Sequence, residues 1–170
     1  MATKTARRTE QDLLGVYLND HLAGATVGVG LVRRMAASAE PGSETAAVVK
    51  PLVGEITADR SALVTMMAAA GVKVRGYKVL AAWAGEKAGR LKLNGHLLSR
   101  SPLSALEETE MLRLGVEGKA AGWRTLQVVA QRDSRLDAGR LDELLARATR
   151  QSDTLESLRV SIAEHVLSDR

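Results

Sequence analysis

Apolar residues recur at steps of three and four along four stretches of this chain, and this spacing is the feature that most limits its fold. The first two stretches span residues 10–37 and 43–71, and the other two span residues 101–132 and 138–168. A helix with one apolar face needs partners to bury that face. Four such helices predict an all-α protein built as a four-helix bundle.

Helix-breaking and capping residues set the predicted helix ends. Pro41 and Gly42 end the first helix, and Ser43 with Glu44 behind it is typical of the N-terminus of the second. Pro51 lies inside the second stretch and predicts either a kink or a true start one turn later.

The connection between the second and third helices is unusually long for a bundle. Within it, residues 76–91 predict a short extra helix, and Ser101 with Pro102 is typical of the opening of the third long helix. Bundles of alternating up and down helices need short loops, whereas a long connection in the middle of the chain favours a crossover topology.

Composition excludes several kinds of chemistry. The chain contains no cysteine, which rules out disulfides, thiolate metal sites and cysteine nucleophiles. It also shows neither the apolar region of a secretory signal nor an apolar run of the roughly 20 residues that cross a bilayer. We therefore expect a cytoplasmic protein without membrane contact, with a basic flexible tail at residues 1–9 and one bundle domain at residues 10–170.

Metal chemistry in a bundle commonly uses Glu-x-x-His, because residues three apart project together into the core. The residues three positions before the histidines are Leu18, Leu93 and Ile162, so the sequence contains no such motif. This argues against a standard di-iron centre, and with no cysteine and three histidines we assign no catalytic residue.

A weaker set of metal candidates remains. Glu55 and Asp59 are four apart and share a helix face, and His21 lies on the apolar face of the first helix beside Asp20. A buried carboxylate pair requires a metal or a cation such as arginine. The alternatives are an iron or manganese site and a hydrogen-bonded polar layer that fixes helix register, with His21 facing inward and Asp20 nearer the surface.

The third helix carries two further acids, Glu110 and Glu117. These acids and Glu107 interleave with Arg113 at steps of three and four, which is typical of ion pairs on an exposed helix face.

Glycines are frequent inside two of the predicted helices, where each costs about 1 kcal/mol relative to alanine. They are Gly24, Gly28, Gly115, Gly118 and Gly122. We interpret them as positions where two helix backbones approach closely, with a homodimer interface and a small-molecule slot as alternatives.

Two groups of basic residues are candidates for contact with nucleic acid or another anion. They are Lys4, Arg7 and Arg8 at the N-terminus, and Lys87, Arg90, Lys92 and Arg100 in the long connection. Neither group is interleaved with the aromatic residues that stack on bases, so solvated segments are the alternative.

Three segments carry a resemblance to a known family: YLNDHLAGATVG in the first helix, GEITADR in the second and LEETEMLRLGVEGKAAGW in the third. With the helix order and lengths, they make the chain similar to small bacterial ferritin-like bundle proteins. The resemblance implies a ferritin-like four-helix bundle and, among its relatives, iron stores, di-iron oxidases and DNA-protecting stress proteins. It allows Glu55, Asp59 and Glu110 or Glu117 as ligands.

Three functional hypotheses follow. The first is a bundle without a standard di-iron site, not an enzyme, that acts through self-association as a homodimer or through a protein partner. The second is a non-standard metal or redox protein that uses His21, Glu55 and Asp59. The third is a stress protein that associates weakly with DNA through its basic residues.

Overall fold

The computed structural model describes residues 2–75 and 103–168, with side chains from residue 13 onward. These residues form four helices and no strand: α1 (Ala2–Ser38), α2 (Glu44–Ala69), α3 (Leu103–Ala130) and α4 (Ala138–Ser168). The all-α prediction is therefore confirmed for the described part of the chain.

The ends of α2 follow from local chemistry. The Ser43 hydroxyl accepts a hydrogen bond from the Ala46 amide at 3.1 Å, as expected of an N-cap residue. At the other end Gly71 adopts a φ of +72°, and the Val72 amide donates to the Met67 carbonyl at 2.8 Å. A positive φ is nearly free of steric cost for glycine, which lets the chain leave the helix sharply.

The turn between α3 and α4 is short and held by two aspartates. Asp133 accepts from the backbone amide of Arg135 at 3.2 Å, and Asp137 accepts from the Arg140 amide at 3.0 Å. The Asp137 carboxylate thereby satisfies one of the unpaired amides at the start of α4.

Cross-helix hydrogen bonds give the directions of the helices. Tyr17 of α1 contacts Thr125 of α3 at 3.0 Å, and the Glu44 carboxylate at the start of α2 accepts from Ser161 near the end of α4 at 2.6 Å. With α1 packed against α2 and α3, and α4 packed against α3 and α2, neighbouring helices run antiparallel. The diagonal pair α2 and α3 consequently runs parallel.

The core is built largely from the apolar positions that the periodicity predicts. Leu126 and Leu144 join it, whereas Leu145, which the periodicity places inside, is half-buried. Fully buried side chains include Leu18 and Val32 of α1, Met67 of α2, Leu112 and Leu126 of α3, and Leu141, Leu144, Leu155 and Leu158 of α4.

Two predicted boundaries differ from the structure. α1 begins at Ala2, so residues 2–9, expected as a flexible tail, are helical; the stretch before Gly15 holds no helix breaker. α2 begins at Glu44 and continues through Pro51, so the later start is wrong. Pro51 lies far enough into the helix to remove one backbone hydrogen bond, and the buried residues on both sides hold the helix together.

The predicted short helix at residues 76–91 and the opening at Ser101 and Pro102 lie outside the described residues. None of the helices in the described ranges combines the length and the apolar character needed to cross a bilayer.

Candidate functional site

A cavity of about 580 Å³ lies between α1, α2 and α3. Its walls are largely apolar and include Leu31, Ile56, Leu63, Val116 and Trp123. Cavities of this size in bundles commonly hold small molecules. The cavity is therefore the first candidate for a functional site.

Glycines explain why this space exists. Gly24 and Gly28 of α1, and Gly115 and Gly118 of α3, line the cavity. An added Cβ at any of these positions would meet no described atom within 4 Å. At these positions the glycines do not mark close contact between helices of this chain, which departs from our first interpretation. They leave room that larger side chains would occupy.

Gly122 differs from the other cavity glycines. A Cβ there would lie 3.0 Å from Nδ1 of His21, so the His21 side chain of α1 packs against the α3 backbone at this position. The His21 ring also stacks at a tilt against Tyr17, with ring centroids 4.4 Å apart. Glycine at position 122 thus makes space for the imidazole at one end of the cavity.

His21 is half-buried and lines the cavity, whereas Asp20 is exposed. This matches the predicted orientation of the pair. Burial lowers the pKa of His21 below its ordinary value, and the nearby Asp20 carboxylate partly opposes that effect. At neutral pH the ring is therefore an uncharged imidazole, which can donate or accept a hydrogen bond.

A polar cluster lies against the same cavity, and its centre is Asp59 of α2, whose side chain is 2% exposed. Lys119 of α3 donates to Oδ2 of Asp59 at 2.5 Å, and Nε of Arg147 of α4 donates to Oδ1 at 2.7 Å. Two cations from two other helices thus neutralise one buried carboxylate. This is the arrangement that makes a buried charge tolerable.

Gln151 of α4 completes the polar cluster. Its side-chain amide donates to Glu55 at 2.8 Å and to Asp59 at 3.3 Å, while its carbonyl oxygen accepts from Lys119. Glu55 is exposed, so it lies at the solvent edge of the cluster. The polar cluster, defined as Glu55, Asp59, Lys119, Arg147 and Gln151, therefore joins α2, α3 and α4.

The surroundings of Lys119 shift the ionisation of its side chain. Burial lowers the pKa of its ammonium group, and the attraction of Asp59 opposes this effect. The side chain is 13% exposed and forms part of the cavity wall.

The five metal candidates are not brought together. Glu55 and Asp59 both contact Gln151, but Glu117 accepts from Ser152 at 2.5 Å and Glu110 lies on the exposed surface, 3.9 Å from Arg159. His21 belongs to the cavity wall instead. Within residues 13–75 and 103–168, no three His, Asp or Glu side chains form a group that could hold a metal ion.

The acidic face predicted on α3 is partly as expected. Glu110 and Glu117 are exposed, whereas Glu107 and Arg113 are half-buried. Arg113 is close to Glu156 of α4, with 3.2 Å between Nε and Oε2, so its partner comes from another helix.

Sequence reasoning missed Lys119, Arg147 and Gln151. Gln151 had a readable signal, because it stands between Ala148 and Leu155 at steps of three and four on the α4 apolar face. Lys119 lies three residues after Val116, at the edge of the α3 apolar face, so it was less conspicuous.

The basic candidates cannot be placed at a site. The side chains of Lys4, Arg7 and Arg8 and the whole of Lys87, Arg90, Lys92 and Arg100 lie outside the described residues.

Comparison with known proteins gives no match: no protein-family model, no curated protein and no solved structure is similar to this chain.

Proposed function

We propose that this protein binds a small, mostly apolar molecule in the cavity between α1, α2 and α3, and that it holds this molecule without converting it. The observation that carries the proposal is the cavity of about 580 Å³ whose walls contain four glycines with no described atom within 4 Å of an added Cβ. Glycine weakens a helix, so a set of glycines around one space calls for a compensating role.

The walls fit such a role. Apolar ligand pockets combine a large hydrophobic surface with a few fixed polar groups. Here the hydrophobic part comes from leucine, isoleucine, valine and Trp123, and the polar residues of the wall include His21 and Lys119. Lys119 is held in place by hydrogen bonds to Asp59 and Gln151.

The test is a titration with prodan, an uncharged naphthyl ketone whose fluorescence shifts to the blue in apolar surroundings. We expect saturable binding to the full chain and its loss in Gly115→Leu, because the leucine side chain would fill the cavity. Gly54→Leu is the matched control, since Gly54 is also helical, exposed and open around its Cβ but lies outside the cavity wall. Equal binding by the two variants would reject the proposal.

Self-association is a second candidate function, favoured by exposed apolar side chains on α3. Leu114 is 68% exposed, and Met111 and Leu103, three and eleven residues before it, share its side of the helix. We propose that a second copy of this chain covers this surface in a homodimer, as the first hypothesis from the sequence states. Sedimentation should show a dimer that Leu114→Gln weakens and Arg124→Gln does not; a monomer at all concentrations would contradict it.

The ferritin-like arrangement and the cytoplasmic location also remain proposals. The parallel direction of α2 and α3 supports the former, because it calls for a long crossover of the kind that ferritin-like bundles contain.

A further inference from the structure

The charges around the cavity balance, and this limits what can bind there. Two acids, Asp20 and Asp59, and two bases, Arg60 and Lys119, line the walls. Behind the wall, the carboxylate of Glu55 and the guanidinium of Arg147 belong to the same polar cluster and carry opposite charges. His21 adds no charge at neutral pH, because burial lowers its pKa.

A charged ligand would upset this balance. Bringing another ion next to buried charges costs its desolvation energy, which must be recovered from an opposite charge in good geometry. In the polar cluster, the two partly buried cations already share Asp59, with Lys119 on one carboxylate oxygen and Arg147 on the other. An uncharged ligand avoids this cost.

The hydrogen-bonding capacity of the polar cluster points to one ligand group. Asp59 accepts from Lys119, Arg147 and Gln151, so both of its oxygens are used. The Lys119 ammonium has three donors and gives two of them to Asp59 and Gln151. Lys119 lines the cavity, so we assign its third donor to an acceptor bound there.

We infer that the ligand is an uncharged, mostly apolar molecule with a hydrogen-bond acceptor, such as a carbonyl oxygen, that accepts a hydrogen bond from the Lys119 ammonium. This inference rests on the proposed binding function and names the chemistry of its ligand. The apolar body lies along the glycine-lined walls of α1 and α3, and its carbonyl end meets α3 where the polar cluster begins.

The experiment compares three probes on the full wild-type chain. Prodan supplies an uncharged ketone, its propyl analogue replaces the carbonyl group with a methylene group, and anilinonaphthalene sulfonate supplies an anion. We expect prodan to bind about tenfold more tightly than either of the others, as a hydrogen bond from a charged donor predicts. Hydrophobicity would favour the propyl analogue, so it cannot produce this preference.

Lys119→Met is the matching variant. It should bind the propyl analogue at least as tightly as prodan, because the donor is gone while most of the side-chain length remains. Circular dichroism checks that the variant is folded, and the wild-type probe series tests the inference even where the variant does not fold.

The outcomes separate the two proposals. Equal binding of prodan and its propyl analogue, or tighter binding of the sulfonate, overturns the inference about the ligand. The proposal that the cavity binds a small molecule still stands in that case if Gly115→Leu abolishes the binding. If none of the three probes shows binding that is lost in Gly115→Leu, the binding function itself is overturned.

Discussion

The cavity-facing side of α1 and the buried face of α4 show two different uses of a bundle helix. On α4 the inward positions Leu141, Leu144, Ala148 and Leu155 are completely buried. On α1 the corresponding middle section contains Gly24 and Gly28, and it borders a cavity. Both helices belong to the same bundle and lie at opposite corners of it.

The difference shows how one small domain can combine stability with a binding space. Close packing of leucine supplies most of the hydrophobic stabilisation of a core. Small residues give up part of that stabilisation at the cavity. The polar cluster lies between the two regions, where α2, α3 and α4 meet beside the cavity. Substitutions in the cluster and in each region should show which of them determines the stability of the bundle.

Asp59→Asn should have the largest effect, because it removes a buried carboxylate and leaves the partly buried Lys119 and Arg147 without their shared negative charge. We expect the free energy of unfolding to fall by about 3–5 kcal/mol, as for other broken buried ion pairs. Urea unfolding at neutral pH measures it. Glu55→Gln is the control: this side chain is exposed, so its loss should cost below about 1 kcal/mol. Similar losses in the two variants would mean that the polar cluster does not hold the helices together.

Leu144→Ala tests the packed region directly. Its side chain is completely buried, so truncation should cost about 2–5 kcal/mol through lost contacts and a new cavity. Met111→Ala is the comparison on the cavity wall, where the side chain is 40% exposed and truncation should cost below about 1 kcal/mol. Thermal or urea unfolding gives both values. If truncation of Met111 lowered the free energy of unfolding as much as truncation of Leu144, the cavity wall would be as tightly packed as the buried face of α4.

Glycine to alanine substitutions on the cavity side should act in the opposite direction. Gly24→Ala and Gly115→Ala meet open space, so each should raise the free energy of unfolding by about 0.5–1 kcal/mol. Both should also weaken prodan binding, because a methyl group enters the cavity. Gly54→Ala should give the same stabilisation and leave binding unchanged. A lower free energy of unfolding in Gly24→Ala and Gly115→Ala would show that other atoms already occupy the cavity beside these glycines.

Gly122 provides an internal contrast to those variants. A methyl group there must move the His21 ring, so Gly122→Ala should gain less stability than Gly115→Ala, or lose some.

The helices were predictable because their information is local. Steps of three and four mark Leu18, Leu63, Leu112 and Leu158 as core residues, and each of them is buried. Ser43 was readable as a helix start because capping depends on a few neighbouring residues. The N-terminal extension of α1 was missed because residues without a strong breaker fit either a helix or a tail.

The polar cluster was only half predictable, because its partners come from distant parts of the sequence. Spacing placed Glu55 and Asp59 on one face, but the lysine and arginine that neutralise Asp59 lie 60 and 88 residues away from it. The glycines were noticed, yet sequence alone does not distinguish a close helix contact from an open space. Gly122 and Gly115 illustrate both cases on one helix.

The smallest expected effect concerns pH and His21 at the end of the cavity. Burial lowers the pKa of His21 in the folded state, so the unfolded chain, with a pKa of about 6.5, takes up the proton first. The contribution of His21 to stability is therefore complete above about pH 6.5 and is lost as the pH falls towards the folded pKa. Solvent screening of this half-buried ring keeps the loss below those of the substitutions above.

Urea unfolding of the wild type and of His21→Gln at about pH 7.5 and 5.5 isolates the contribution of His21, because the exposed His165 and the carboxylates contribute equally to both proteins. We expect the wild type to lose more stability than the variant on acidification. An equal loss would mean that the imidazole is protonated as easily beside Tyr17 and Gly122 as in the unfolded chain, and that this end of the cavity is open to water, unlike the packed face of α4.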